Sequence, residues 1–208
     1  MGILKKYCII LFTIISLQTH GKEIILIRHA KVNIGSNGWM FPRKAIQLRT
    51  AYDTASIHQF PLDSIINSLP VRTCDTIYTS NLSRSISTAY LLFGDSVNYF
   101  STSLFNEFQL KILRLPLVLP FKAWTSLSRF GWFLGIKRDN SENISDARKR
   151  TKIAVDFIEN KSNYSDQIIL VTHGFLNRNL KKELKKRGWE LIRNDGHKNL
   201  GANRLIKD

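Results

Sequence analysis

Three short apolar runs, each followed at once by basic or polar residues, constrain this chain more than any other feature. They occupy residues 23–27 (Glu-Ile-Ile-Leu-Ile), 74–79 (Cys-Asp-Thr-Ile-Tyr-Thr) and 167–172 (Gln-Ile-Ile-Leu-Val-Thr). Short, continuous apolar runs belong to strands covered on both faces. Helical patterns lie between them, at 62–69, which ends at the breaker Pro70, and at 145–160. Beyond the third run, Leu176, Leu180 and Leu184 form the stripe of a helix that packs on one side. Strands alternating with helices make an α/β fold, here a three-layer α/β/α sandwich around a mainly parallel sheet. Ligands of such sheets bind beyond the carboxyl ends of the strands, so the chemistry is sought just after each run.

A chain of 208 residues is enough for one domain and short for two, and it shows no repeat, linker or low-complexity tract. With 43% hydrophobic and 23% charged residues, it is neither disordered nor collagen-like nor a coiled coil. Its 31 Lys and Arg against 16 Asp and Glu give a net charge of +15, which favours anionic partners without choosing among them. Residues 1–21 read as a secretory signal peptide: Lys5 and Lys6, an apolar run over 7–17, then small residues before a cut after Gly21. That run is shorter than the ~20 residues a membrane span needs, and left uncut it would act as an anchor. The expected mature chain, 22–208, is a single exported domain, periplasmic or secreted. Cleavage removes Cys8 and leaves Cys74 as a lone thiol, so neither a disulfide framework nor a cysteine zinc site is available.

The residues after the three runs share a chemistry. Arg28-His29-Ala30 follows the first, Ser80-Asn81-Leu82-Ser83-Arg84 with Thr88-Ala89 follows the second, and His173-Gly174 follows the third. A parallel sheet brings all three to one edge. Arginine offers planar, charged donor pairs that match phosphate oxygens, and helices starting near Leu82 and Gly174 add unpaired N–H groups. Gly174 lets the chain pass close to a bound group. A neutral imidazole in this cluster can attack phosphorus, and neighbouring cations keep it neutral by disfavouring its charged form.

These blocks resemble the histidine phosphatase superfamily, in the branch similar to cofactor-dependent phosphoglycerate mutases. The resemblance runs from about Glu23 to the C-terminus and implies a phosphoglycerate-mutase-like fold. It implies His29 as the phosphorylated nucleophile, with Arg28, Arg84 and His173 holding the phosphoryl oxygens and His173 also taking part in catalysis. Ala30 and Lys31 depart from the mutase pattern Arg-His-Gly followed by Glu or Gln, and Asn33 lies closer to the histidine than the usual Asn. His173-Gly174, where the acid phosphatase and phytase branch has His-Asp, argues against that branch.

A phosphomonoester also needs its leaving oxygen protonated. Glu107 is the only acidic residue between Asp95 and Asp139, and the family draws its glutamate donor from this region. The apolar neighbours Leu104, Phe105 and Phe108 are expected to keep Glu107 protonated near neutrality. The alternative is a Glu paired with Lys111 or Arg114. The expected protein is an exported, metal-independent phosphoric monoester hydrolase acting on a small phosphorylated substrate without a cofactor. A phosphoglycerate-type mutase, a protein phosphohistidine phosphatase and a catalytically inactive phosphate-binding module are the alternatives.

Three further features have two readings each. Residues 104–136 are apolar and aromatic, with Lys111, Arg114, Lys122 and Arg129 interspersed. They form a cap over the site, a peripheral membrane contact or simply a closure of the core. The basic run 181–187 is the solvated face of a helix rather than a nucleic-acid patch, since no binding module accompanies it. His58 is expected at the surface, and His197 in a late loop that could reach the site but has a turn role. The histidines are too scattered for a metal centre. Nothing in the sequence sets an oligomeric state.

Overall fold

The computed structural model describes residues 21–35, 38–72, 75–136 and 141–208. The expected leader therefore lies outside the described residues except for Gly21, and so does Cys74. Strand β1 (Lys22–Arg28) is buried from Glu23 to Ile27. After it come β2 (Trp39–Met40), α1 (Pro42–Thr54), α2 (Leu62–Ser68), β3 (Thr76–Ser80), α3 (Ser83–Phe93) and β4 (Asn98–Thr102). A second half follows with β5 (Leu119–Pro120), α4 (Phe121–Phe133), α5 (Ile144–Lys161), β6 (Gln167–Thr172), α6 (Gly174–Lys186), β7 (Glu190–Asn194) and β8 (Ala202–Lys207). The three expected strands and the four expected helices are all present.

The main sheet has the order β4-β3-β6-β1-β8-β7, with the first four strands parallel and β8 antiparallel to both of its neighbours, β1 and β7. Side chains alternate across the pleat, and both faces are apolar. Ile24, Leu26, Ile168 and Leu170 pack against Leu176, Leu180 and Leu184 of α6 and against Ala154, Val155 and Ile158 of α5. Ile25, Ile27, Ile169 and Val171 pack on the other side, with Leu69, Ala89 and Leu92. This is the expected sandwich. The antiparallel β7 and β8 have no such apolar run, which is why the sequence pattern does not reveal them. The basic run after Leu180 is held by ion pairs: Arg187 meets Asp156 and Glu159, and Lys181 donates to Asn194 and Asn203.

The segment 104–136 divides its roles. Phe105 and Phe108 close the main core. Ile112, Phe121 and Trp124 build a separate small core with Met40 and Ala45, tied by the β2–β5 pair and by the Trp124 indole N–H on the Met40 carbonyl at 2.8 Å. This second unit stands beside the carboxyl end of β1.

Candidate active site

Strand register sets the centre of the site. Arg28 pairs with Thr172 across the parallel β1–β6 ladder, and the His29 N–H continues it to the Thr172 carbonyl at 2.9 Å. His29 and His173, the next residues along, are thereby side by side, with ring centroids 5.1 Å apart. Thr79 pairs with Val171, which brings Ser80 to the same edge. A cavity of about 390 Å³ there is lined by Arg28, His29, Arg84, Glu107 and His173, so one cavity collects the five residues expected to act on the phosphoryl group.

The His29 imidazole has a defined proton. His29 Nδ1 lies 2.6 Å from the Ala30 carbonyl, which can only accept, so Nδ1 carries the hydrogen and Nε2 keeps its lone pair. Burial lowers the His29 pKa to about 3, with Arg84 and Arg28 adding to the fall against the opposing Ala30 hydrogen bond. Desolvation is thus the leading cause, ahead of the neighbouring cations expected from sequence. His173 Nε2 is 2.7 Å from Ser80 Oγ. Ser85 Oγ lies 3.3 Å from the same nitrogen, and each hydroxyl can donate to it or accept from it. Burial first, then Arg84, His29 and Arg28, lowers its pKa well below the usual histidine value.

Arg84 is buried and Arg28 half-buried, and both are incompletely paired. Arg84 donates to Asp53 at 2.9 Å and lies over the Tyr52 ring. Arg28 donates to the His197 carbonyl. The loop around His197 therefore does reach the site, through its backbone, while the imidazole does not line the cavity. Leu200, in the same loop, takes φ of 61°, a left-handed conformation rare for such a residue, and its N–H holds the Arg28 carbonyl at 2.9 Å. Asn199 donates to the His29 carbonyl at 2.8 Å. Gly174 serves the Arg28 side chain, because a Cβ there would come within 3.1 Å of the guanidinium Nε. Ala30 needs no glycine: it is not among the positive-φ residues, and its N–H bonds Thr88 Oγ1 at 2.9 Å.

Several contributors were not legible. Arg49, Tyr52, Lys122, Arg129 and Asn199 also line the cavity. Arg129 and Lys122 were read as possible membrane cations, but the Arg129 guanidinium packs over Phe175 and Trp132 and donates to the Phe108 carbonyl. Arg28 Nε, Arg84 Nε, Arg129 Nη1 and His173 Nδ1 are buried with no partner among the described residues. Burying an unpaired guanidinium donor costs about 1–3 kcal/mol, and the three arginines that carry one here all line the cavity, which suits a polyanion.

Glu107 departs from expectation in its surroundings. Its carboxylate caps α6: Oε2 accepts the Phe175 N–H, and Oε1 accepts those of Leu176 and Phe108, at 3.0–3.1 Å. Phe105 and Phe108 are buried nearby, yet a helix end rather than apolar side chains surrounds the oxygens. It forms no ion pair with Lys111 or Arg114 among the described contacts.

The model of the histidine phosphatase superfamily, branch 1, matches residues 24–207. The chain belongs to this superfamily. A phosphoglycerate mutase of Bacillus anthracis str. Sterne superposes on it with a TM-score of 0.60 at 15% identity, over 91% of this chain and 90% of that one. A mycobacterial glucosyl-3-phosphoglycerate phosphatase in complex with VO3 gives 0.56 at 18% identity, over 88% and 90%. At such identities the likeness is one of fold, and it agrees with the phosphoglycerate-mutase-like sandwich. No curated protein is similar enough in sequence to count as a relative. Membership of the superfamily supports phosphatase or mutase catalysis.

Proposed function

We propose that this histidine phosphatase is an exported phosphomonoesterase that works through a phosphohistidine on His29. The observation that carries the proposal is an unprotonated Nε2 on a buried imidazole, in a cavity that Arg28, Arg84, Arg129 and His173 also line. The Nε2 lone pair attacks phosphorus and the bond from phosphorus to the ester oxygen breaks. That oxygen takes a proton from Glu107, whose Oε2 accepts a single hydrogen bond and has a second lone pair free to carry it. Water then attacks the phosphohistidine, Glu107 takes up the water's proton, and His29 is released with inorganic phosphate.

Arg28, Arg84, Arg129 and His173 hold the transferring group. Their charge and hydrogen bonds are fixed before the reaction and strengthen as charge spreads over the phosphoryl oxygens, so no metal ion is invoked. Apolar and basic residues of α4, Phe121, Lys122 and Thr125, form the wall for the organic part of a small substrate. Export rests on the charge and apolar pattern of residues 1–21.

The test is a rapid quench of the protein with a radiolabelled phosphomonoester. Acid-labile phosphate is expected on His29, and His29→Ala is expected to lose hydrolysis while keeping its circular dichroism. Label on another residue, or full activity in His29→Ala, overturns the proposal.

A further inference from the structure

Segments 38–52 and 108–136 pack on each other through the β2–β5 pair and the small core around Trp124. Together they carry seven Lys and Arg and no Asp or Glu, and of the carboxylates that flank them Asp53 pairs with Arg49 and Arg84 and Glu107 caps α6. Arg49, Lys122 and Arg129 line the catalytic cavity, and Arg43, Lys44, Lys111, Arg114 and Lys122 are exposed. The same two segments hold nine of the seventeen exposed large hydrophobic residues among the described residues, which makes the apolar exposure local to this unit. Trp39 is 72% exposed and Phe41 64%, at the β2–β5 ribbon. On α4 the inward side is Phe121, Trp124, Ser128 and Gly131, while the outward side carries Lys122, Ser126, Phe130 and Phe133. A helix facing only water would place charge where Phe130 and Phe133 stand.

We infer that this surface docks on an anionic phospholipid bilayer. Aromatic and aliphatic side chains set among cations, with carboxylates excluded, suit an interface whose headgroups are negative and whose interior is apolar. A second copy of the chain fits poorly, because it would set the same five cations against each other while the flanking Asp53 and Glu107 are already engaged within the chain. A nucleic acid would use the cations and the rings, but it offers nothing to exposed aliphatics such as Leu117 and Leu134. The inference rests on this surface alone and stands whether or not His29 hydrolyses esters.

Trp39 reports on the surface directly, since Trp124 and Trp189 are buried and Trp132 is half-buried. The full chain is mixed with phosphatidylglycerol–phosphatidylcholine vesicles carrying brominated acyl chains, and both sedimentation and tryptophan quenching are read. Binding with quenching is expected, weakened about tenfold or more on pure phosphatidylcholine or in about 0.5 M salt. The quenching should disappear in Trp39→Phe. The combined variant Trp39→Ser, Phe41→Ser and Phe130→Ser should bind about tenfold more weakly or worse, with its unfolding midpoint kept because these three side chains are mostly exposed. If the combined variant fails to fold, the Trp39→Phe comparison still decides. No binding overturns the inference, as does binding without quenching of Trp39, which would locate the contact elsewhere in the chain. A concentration-dependent dimer that the combined variant abolishes also overturns it, because a second copy would then cover the surface.

Discussion

Replacing His29 by Gln should flatten the acid dependence of stability, and the size of the effect follows from burial. The ring has a pKa of about 3 in the folded chain against 6.5 for an ordinary histidine. Since the folded value is the lower one, the neutral ring's contribution is complete above the ordinary value and is lost as pH falls toward 3. At pH 5 the unfolded chain holds nearly one more proton at this site than the native one. That difference lowers stability by about 2 kcal/mol relative to pH 8. The figure hardly depends on the folded value, because at pH 5 the native ring is neutral for any pKa below about 4. With a urea m-value near 2 kcal/mol/M for a domain of this size, the midpoint should drop by about 1 M from this residue alone.

Gln cannot titrate, and its amide can still donate to the Ala30 carbonyl. Urea unfolding of both proteins in phosphate-free buffer at pH 8 and pH 5 gives the comparison, since an anion bound to the native state would mask the effect. The carboxylates titrate alike in both and cancel. His173, whose value burial also lowers, adds a shift of the same sign in both proteins. Equal pH dependence of wild type and His29→Gln would refute the reasoning, because His29 would then be charged or solvated in the native state.

Glu107→Gln places an amide NH2 against backbone donors, so it should cost about 1–2 kcal/mol by calorimetry as well as activity. Its rate loss should be severe on alkyl phosphates and far smaller on p-nitrophenyl phosphate, and an equal loss on both would leave Glu107 only its helix cap. Arg84→Lys keeps the charge but cannot hold Asp53 and a phosphoryl oxygen through one planar fork, so kcat should fall about a hundredfold. Gly174→Ala pushes a methyl into the Arg28 guanidinium, so steady-state kinetics should show reduced turnover while the melting temperature holds or rises. A normal rate in that variant would mean that Arg28 can move without consequence.

What the sequence determined by itself was the part of the molecule governed by short-range patterns. Apolar runs at 23–27 and 167–172 could only be strands covered on both faces, and the leucine spacing after 173 could only be a helix with one buried side. Parallel pairing then obliged Arg28, His29, Arg84 and His173 to meet at one edge, which the cavity bears out. Contacts between distant stretches belong to the tertiary structure. Asp53 reaches Arg84 across 31 residues, and Asn199 reaches the His29 carbonyl across 170. No local pattern marks either. Arg129 shows the same limit: by composition it was one cation among aromatics, and only the packing of α4 turned its guanidinium into the cavity. For Glu107 the sequence supplied apolar neighbours, whereas the fold supplied the end of α6. The difference is physical, because a carboxyl group responds to the dipoles within hydrogen-bond reach, and those come from residues 68 and 69 positions away.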